Sequence, residues 1–260
     1  MKIITLNIWG GRVLGPLLEF TKNRLQDADI ICLQEVYSSD KPPEVGVDYC
    51  TNTLQQIAEL LPRHQCIYAP SVQGIFMDRH RDPGLGYGNA VFIRKELKVH
   101  ECKNEFIVKS EGDEFDLEAG VDHPRSLQIV ALETALGRQL VVANCHGYWS
   151  NGPKTDDEVR LEQSKRIREV LDGLGEPYIL CGDFNLLPTT KSLDILRNGL
   201  VDMVQKYDLP TTRSSLYKRI DYAPFADYMF TSPEVKDAQF RALDDVVSDH
   251  LALELEFNLV

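Results

Sequence analysis

The chain has 260 residues, of which 43% are hydrophobic and 26% are charged, an ordinary composition for a globular protein. This length suits one large α/β domain, so we expect a single domain over residues 1–260. A formal net charge of −12 argues against a protein that grips long nucleic acid through a basic face. No apolar run approaches the length of a membrane span, and the first residues are too strand-like for a signal peptide.

Six cysteines are spread along the chain without close pairing. Three of them, Cys32, Cys145 and Cys181, lie within apolar runs, where we expect buried free thiols. Unpaired thiols are typical of a reducing compartment. We therefore expect a cytoplasmic protein.

The hydrophobic pattern predicts strands and helices in alternation. Strands are predicted at 2–6, 29–35, 67–71, 90–93, 127–134, 139–144, 178–181, 228–231 and 251–257. Helices are predicted at 13–25, 51–61, 156–174 and 193–196. The longest helix is expected to bury Val159, Ile167, Val170, Leu171 and Leu174. Loops are expected at 38–49, 79–84 and 110–123, and the last of these is strongly acidic.

One arrangement occurs twice: a strand, a helix and then a buried strand that ends in an acid. It runs from Asn7 to Glu35 and again from Asn144 to Asp183. In α/β sheets, functional groups gather at the carboxyl ends of the strands. The pattern favours two sheets stacked face to face, each covered by helices, with polar groups at those ends.

The stretch Tyr178-Ile-Leu-Cys-Gly-Asp-Phe-Asn185 is a buried strand that delivers an acid and an amide to its end. Asp183 and Asn185 are separated by one residue, so an extended backbone would point both side chains to the same side. Gly182 permits a sharp turn or a close approach to the backbone. A carboxylate beside a carboxamide can hold a water molecule by accepting and donating hydrogen bonds.

Polar side chains also end other apolar strands. They are Asn7, Glu35, His146, Asp227, and Asp249 with His250. Each alone has a simpler explanation as a turn cap, an ion-pair partner or a core histidine. Their repeated position at strand ends indicates a shared site. Oxygen ligands without paired cysteines suit a hard cation such as Mg²⁺ or Mn²⁺.

Six segments follow one another in the order of a known motif set. They are Thr5-Leu-Asn-Ile-Trp9, Ile31-Cys-Leu-Gln-Glu-Val36, Asn144-Cys-His146, Gly182-Asp-Phe-Asn185, Ala226-Asp-Tyr-Met-Phe230 and Val247-Ser-Asp-His250. Together they resemble the endonuclease/exonuclease/phosphatase superfamily, which includes pancreatic deoxyribonuclease and exonuclease III. The resemblance implies a four-layer α/β sandwich, with two stacked mixed β-sheets flanked by helices. It also implies a phosphoesterase that depends on Mg²⁺ or Mn²⁺.

The resemblance gives the matching residues their expected roles. Glu35 resembles the family's metal-binding glutamate, with Asn7 close to the metal or the phosphate. Asp249 matches an acid that helps at the metal site. Asp183 and Asn185 match the pair that positions the attacking water and the metal-bound phosphate.

Further roles concern the substrate side of the site. His250 resembles the histidine that contacts the scissile phosphate, oriented by an aspartate that matches Asp227. His146 resembles the second histidine of the deoxyribonuclease and sphingomyelinase branches, a candidate general acid. Arg125 resembles a phosphate-contacting arginine, and Asn89 is a candidate substrate contact.

The sequence departs from the exonuclease III branch at two positions. Trp9 stands where those relatives often carry an acid, and His146 stands where they carry a tyrosine motif. Both differences point away from abasic-site endonucleases. In addition, Asp221-Tyr222 repeats the dipeptide Asp227-Tyr228, so Asp221 is an alternative partner for His250. We favour Asp227 because the residues after it continue as a strand, whereas a proline follows the other dipeptide.

These features predict a hydrolase that acts on phosphoric ester bonds by direct attack of water. A nuclease or a nucleotide phosphodiesterase is the first interpretation. A lipid or inositol phosphoesterase of the sphingomyelinase kind is the alternative, although the sequence shows no exposed apolar hairpin. A catalytically silent binding module on the same fold is a third. The acidic charge favours a nucleotide or a single-stranded or end-bearing nucleic acid as substrate. We also expect a monomer without a membrane span.

Overall fold

The computed structural model describes residues 1–41, 50–74, 84–110, 113, 123–175, 177–220 and 222–260. Within these ranges the chain forms twelve strands and five α-helices. The strands are β1 Lys2–Asn7, β2 Ile30–Ser38, β3 His64–Gln73, β4 Gly86–Arg94, β5 Lys98–Val108, β6 Arg125–Glu133, β7 Gln139–His146, β8 Tyr178–Asp183, β9 Val201–Asp202, β10 Asp227–Thr231, β11 Val235–Ala242 and β12 Leu253–Leu259. The helices are α1 Leu14–Asn23, α2 Thr53–Leu60, α3 Glu158–Asp172, α4 Lys191–Arg197 and α5 Met203–Lys206.

The strands form two six-stranded mixed sheets. The first has the order β11-β12-β1-β2-β4-β3, and the second has the order β5-β6-β7-β8-β10-β9. Each sheet contains one parallel pair at its centre, β1 with β2 and β7 with β8. In both pairs a helix, α1 or α3, connects the two strands, as a parallel crossover requires. The repeated strand–helix–strand pattern and the α/β sandwich of two mixed sheets flanked by helices are confirmed.

The hydrophobic core lies on both faces of the first sheet. Ile3 and Ile30 belong to a large cluster shared with side chains of the second sheet, such as Val142. Their neighbours in sequence, Ile4 and Ile31, belong to a second cluster with residues of α1 and α2. Successive side chains of a strand point to opposite faces. Because both faces are covered, these strands are continuous apolar runs without polar alternation.

Helix α3 covers the second sheet with a face that differs from the predicted one. Ile167 and Leu171 are buried as expected, but Val159 is 37% exposed, so its predicted burial is wrong. Asp157 is the N-cap of the helix and accepts a hydrogen bond from Arg160 N at 2.8 Å. This start directs Arg160 inward, where its side chain is buried. The inner face therefore begins with polar residues, which support a neighbouring loop.

All the predicted strands and helices are present, with ends that differ by a few residues. The pattern missed β5, β9, β11 and α5. Cys32, Cys145 and Cys181 are buried free thiols, as expected. Most of the three predicted loops, including the acidic one, lies outside the described residues. No helix in the described part of the chain combines the length and the apolar character that crossing a membrane requires.

Candidate active site

The two parallel strand pairs bring their carboxyl ends to one place between the sheets. Asn7 ends β1 and Glu35 lies in β2, while His146 and Asp183 end β7 and β8 and are directly paired in register. Asn7 Nδ2 donates to Glu35 Oε1 and to Asp183 Oδ2, each at 3.0 Å. One carboxamide thus ties the acid of the first sheet to the acid of the second.

Glu35 is turned into this site by an irregularity in its strand. The register between β2 and β4 shifts between Leu33 and Val36. Glu35 itself adopts φ 59°, a left-handed conformation that side-chain-bearing residues rarely adopt. A bulge of this kind re-aims a side chain at the end of a ladder. The strand therefore presents Glu35 to the second sheet at the expense of a local backbone strain.

A tight turn, and not strand alternation, brings Asp183 and Asn185 together. The ladder of β8 ends at Asp183, and Asn185 has φ 54°, so the expected extended backbone is wrong here. Asn185 N donates to Asp183 Oδ1 at 2.9 Å, which closes the turn. Gly182 precedes it with φ 130°, and a Cβ there would lie 2.1 Å from Cys145 O. Only glycine allows β8 to pass β7 this closely.

His250 and Asp227 form a buried pair on the side of Asp183. His250 Nδ1 lies 2.7 Å from Asp227 Oδ2 and donates to it, so Nε2 is left facing the site. Nε2 lies 3.7 Å from Asp183 Oδ2 and 3.7 Å from Asp249 Oδ1. Asp227 begins β10 directly opposite Asp183 in the antiparallel ladder. The alternative partner, Asp221, lies outside the described residues.

The charges around His250 shift its pKa. Burial and the nearby Arg213 lower the pKa of His250, but the surrounding carboxylates outweigh them and raise it above its usual value. Asp183 shifts in the opposite direction. Burial raises its pKa, but His250, Lys154 and Arg213 outweigh that effect and hold it well below the usual range. Asp183 is therefore ionised at neutral pH, with cations on several sides.

His146 lies in a different electrostatic environment. Arg125 Nη1 is 2.7 Å from His146 Nε2 and 3.1 Å from Nδ1. Burial and this guanidinium lower the pKa of His146 well below its usual value. The imidazole is therefore neutral at neutral pH and has no proton of an imidazolium to give. The role of His146 as general acid stays a prediction, and this charge state argues against it.

The donor set fits a divalent cation. Among the described residues, two groups have ligand atoms close enough to hold one: Glu35 with His146 and Asp183, and Asp183 with Asp227 and His250. In the second group, Asp227 and His250 already bond each other. Desolvation raises the pKa of Glu35, and the negative charges of Asp249 and Asp183 raise it further, although the bond from Asn7 opposes them. Crowded carboxylates without a thiolate are typical of a Mg²⁺ or Mn²⁺ site.

The ligand assignment made from the sequence stays a prediction. Asp249 lies outside both groups of potential ligands among the described residues, although its charge acts on Glu35. Asn7 bonds both Glu35 and Asp183, so its carboxamide oxygen and nitrogen lie at the edge of the same cluster. The first group supports Glu35 as a ligand and adds His146 and Asp183 as further candidates.

Asn89 has a structural position. It is fully buried, and its Nδ2 donates to Ser126 O at 3.2 Å and to Asn144 O at 3.3 Å. These bonds join β4 of the first sheet to the backbone of the second sheet. Its Oδ1 has no hydrogen-bond partner among the described residues, and the predicted substrate contact stays a prediction.

The sequence pattern did not predict two basic residues of the site. Arg213 is buried and donates through Nη1 to His250 Nε2, and the same nitrogen lies 3.6 Å from Asp249 Oδ2. Lys154 is buried and donates through Nζ to Asn185 Oδ1. Both lie in loops, where basic side chains are mostly exposed. The run His146-Gly-Tyr-Trp-Ser-Asn-Gly-Pro-Lys154, with aromatic and polar residues directly after a predicted site histidine, is the sequence signal that could have indicated Lys154.

Three buried cations thus surround an acidic cluster. Arg125, Lys154 and Arg213 are each 5% exposed or less. Buried charges are ordinarily paired or bind a charged ligand. An arrangement with carboxylates for a cation and basic groups for an anion can bind a metal and a phosphate side by side.

Comparison with known proteins agrees with this geometry. The model of the endonuclease/exonuclease/phosphatase family matches residues 4–250. The chain therefore belongs to this family, and the resemblance seen in the sequence is confirmed. It is a hydrolase that acts on phosphoric ester bonds. A comparison with curated proteins finds no match.

Solved structures share the fold at low identity. A conserved protein of unknown function from Enterococcus faecalis is 18% identical, with a TM-score of 0.72 and full coverage of both chains. A mannosyl-6-phosphatase from Bacteroides thetaiotaomicron is 19% identical, with a TM-score of 0.69 and full coverage of both chains. The catalytic domain of human nocturnin with bound sulfate is 20% identical, with a TM-score of 0.69, covering 100% of this chain and 93% of that one.

Proposed function

We propose that the protein is a divalent-metal-dependent phosphodiesterase, a nuclease or nucleotide phosphodiesterase that hydrolyses its substrate by direct attack of water. The observation that carries the proposal is the meeting of an acidic cluster with three buried basic side chains at the carboxyl ends of β1, β2, β7 and β8. Hydrolysis of a phosphoester needs an aligned water and stabilisation of the charge that grows on the phosphoryl oxygens. Both requirements have matching groups here.

Glu35, Asp249 and Asn7 would hold Mg²⁺ or Mn²⁺, with Asp183 as a further candidate ligand. When bound, such an ion neutralises charge on a phosphoryl oxygen and orients the ester. Asp183 stays ionised, so its carboxylate can accept a hydrogen bond from the attacking water. Asn185, closed onto Asp183 by the turn, adds an amide that orients the same water or the phosphate.

His250 and Arg125 would contact the phosphate. The bond to Asp227 directs Nε2 of His250 to the site, and the raised pKa favours the imidazolium, whose Nε2 hydrogen could be donated to the phosphate. Arg213 Nη1, beside Nε2, adds positive charge at the same point. Arg125 supplies a guanidinium on the other side, above the neutral His146. A phosphate bound between these groups would meet positive charge from both sheets.

A panel assay tests the proposed function. We expect the protein to hydrolyse bis-p-nitrophenyl phosphate and single-stranded DNA with Mg²⁺ or Mn²⁺, to lose activity in excess chelator and to recover when the metal is restored. Duplex DNA, RNA and sphingomyelin complete the panel. Full activity in chelator would overturn the metal-dependent mechanism. Hydrolysis of sphingomyelin alone would favour the lipid phosphoesterase interpretation.

A matched pair of variants sharpens this assay. Glu35→Gln removes a proposed ligand charge, so it should raise the Mg²⁺ concentration needed for half-maximal activity and weaken the thermal stabilisation by Mg²⁺. Glu59→Gln changes an exposed glutamate of α2 and should do neither. Equal metal responses in the two variants would remove Glu35 from the metal site.

We also propose a cytoplasmic protein of one domain that works as a monomer. The six cysteines are all free, which suits a reducing compartment. Size-exclusion chromatography with light scattering tests the monomer, and a dimer mass would contradict it.

A further inference from the structure

Lys154 is a buried ammonium without an anionic partner. Its residue is 5% exposed, and within the described ranges no carboxylate oxygen lies within 4.0 Å of Nζ. Among those residues its one hydrogen-bond acceptor is the neutral Asn185 Oδ1. An ammonium carries three hydrogens, so two remain to be donated. Burial, together with the nearby Arg213 and Arg160, lowers the pKa of Lys154 to about 8, although the charge of Asp183 opposes the shift. Such a position is unfavourable unless an anion completes it.

The segment that carries this lysine, residues 147–157, is fixed to the fold; we call it the strap. At its start, Tyr148 N donates to Gln163 Oε1 at 2.6 Å. Further along, Arg160 Nη2 donates to Ser150 Oγ at 3.2 Å, and its guanidinium lies 5.2 Å from the centre of the Tyr148 ring. The buried polar residues of α3 thus have a purpose: they hold the strap against the sheet.

The other half of the strap is fixed as firmly. Leu187 N donates to Lys154 O at 3.0 Å, which ties the lysine backbone to the turn after Asn185. Asp156 accepts from Lys191 N at 2.8 Å and from Ser192 N at 2.9 Å, at the start of α4. A lysine in a free loop would turn its ammonium to water. Here the anchored backbone keeps it at the site.

Two neighbours, Asn185 and Asp183, show where the Lys154 ammonium lies in the site. It bonds Asn185, and it is one of the cations that hold the pKa of Asp183 well below its usual range. Both residues belong to the turn that is proposed to position water and phosphate. The Lys154 ammonium therefore lies beside the reacting groups, separate from Arg125, which approaches through His146.

We propose that Lys154 is a catalytic residue whose ammonium donates to a non-bridging oxygen of the reacting phosphate, and that the strap exists to hold it there. The substrate phosphate would then be the counter-ion of the buried Lys154 ammonium. This inference rests on the proposed function, because it names a contact of that same site. In this proposal the bond from Lys154 Nζ to Asn185 Oδ1 has a second role. It orients the Asn185 carboxamide, with its oxygen toward the lysine.

Binding of inorganic phosphate tests the proposal without turnover. Titration calorimetry in the presence of Mg²⁺ would compare the wild type with Lys154→Met, Lys154→Gln and Lys154→Arg. A hydrogen bond to a charged group contributes enough that Met and Gln should weaken phosphate binding about 10- to 100-fold. Arginine should recover part of the affinity. Lys165→Met, which changes an exposed lysine of α3, is the matched control and should bind as the wild type does.

The thermal midpoint separates this role from a structural one. Removal of an unpaired buried charge should leave the midpoint of Lys154→Met unchanged or higher, whereas a lysine needed only for the fold would lower it. If Lys154→Met does not fold, Lys154→Gln keeps a donor for Asn185 and replaces it in the comparison. Wild-type phosphate affinity in either folded variant overturns the proposal.

The two proposals fail differently. A wild type that hydrolyses no phosphoester in the panel would refute the proposed function while the phosphate titration still reports on Lys154. A wild type that is active, with Lys154→Met equally active and equally able to bind phosphate, would refute Lys154 alone.

Discussion

Individual carboxylates set the charge of the site, and the role of Asp227, which bonds His250, can be tested directly. Asp227→Asn keeps the size of the side chain but removes the charge that fixes His250. We expect kcat on a phosphodiester to fall about 10²- to 10³-fold, a range typical for loss of one group that stabilises charge in the transition state. His250→Ala should lose a similar factor. The double variant should lose little more, because the two residues act as a unit.

Asp244→Asn is the control for this series, since Asp244 is exposed and has no part in the proposed site. Its kcat should match the wild type. Full activity in Asp227→Asn would show that His250 has another partner. A large loss in Asp221→Asn would then assign that partner to the dipeptide that repeats six residues earlier.

The neutral state of His146 gives a second prediction at this scale. A cation bound near Glu35 would lower the pKa of His146 further, so the imidazole stays neutral with or without metal. His146→Ala should therefore slow alkyl and p-nitrophenyl phosphodiesters by the same factor, measured as kcat/KM on the two esters. A p-nitrophenolate needs no proton in order to leave. A loss confined to the alkyl ester would identify His146 as the general acid.

Among the elements, β7 and β8 approach each other too closely at Gly182 to admit a larger residue. Gly182→Ala would place a Cβ 2.1 Å from Cys145 O at φ 130°, so the two strands would have to separate. We expect a loss of more than about 3 kcal/mol in the free energy of unfolding, measured by urea denaturation. Asp183 follows directly, so activity should fall with it.

Gly15→Ala is the matched control for that substitution. Gly15 lies in α1, and a Cβ there meets no atom within 4 Å. It should stabilise the protein by about 0.5–1 kcal/mol, the ordinary advantage of alanine in a helix. A Gly182→Ala variant as stable as the wild type would contradict the close approach of β7 and β8.

The same elements explain what the sequence could predict. β1, β2, β7 and β8 are buried on both faces, so each is an uninterrupted apolar run and its polar end stands out. β5 and β11 are edge strands with many exposed residues, and their sequences lack that contrast. The same contrast decides which site residues the sequence could reveal. Strand-end acids were found, whereas Lys154 and Arg213 lie in loops and become buried through contacts distant in sequence.

At the scale of the whole molecule, the net charge is negative, whereas the buried site contains basic side chains. The chain carries −12 in total, yet Arg125, Lys154 and Arg213 are buried at the site. A small phosphoester can reach these groups, whereas a long polyanion must also approach the acidic remainder of the protein. The charge distribution thus favours small phosphoesters over long polyanions.

Long duplex DNA should therefore bind weakly, with an affinity that falls steeply as salt rises, because phosphate contacts release counterions. Fluorescence anisotropy of a labelled duplex at low and moderate salt measures this directly. In the same buffers we expect higher kcat/KM on single-stranded or end-bearing DNA than on duplex. Bis-p-nitrophenyl phosphate is the internal control, since one phosphate bound among buried groups is little screened and its hydrolysis should change little with salt. Tight duplex binding in moderate salt would show that a basic surface outside the buried site recognises nucleic acid.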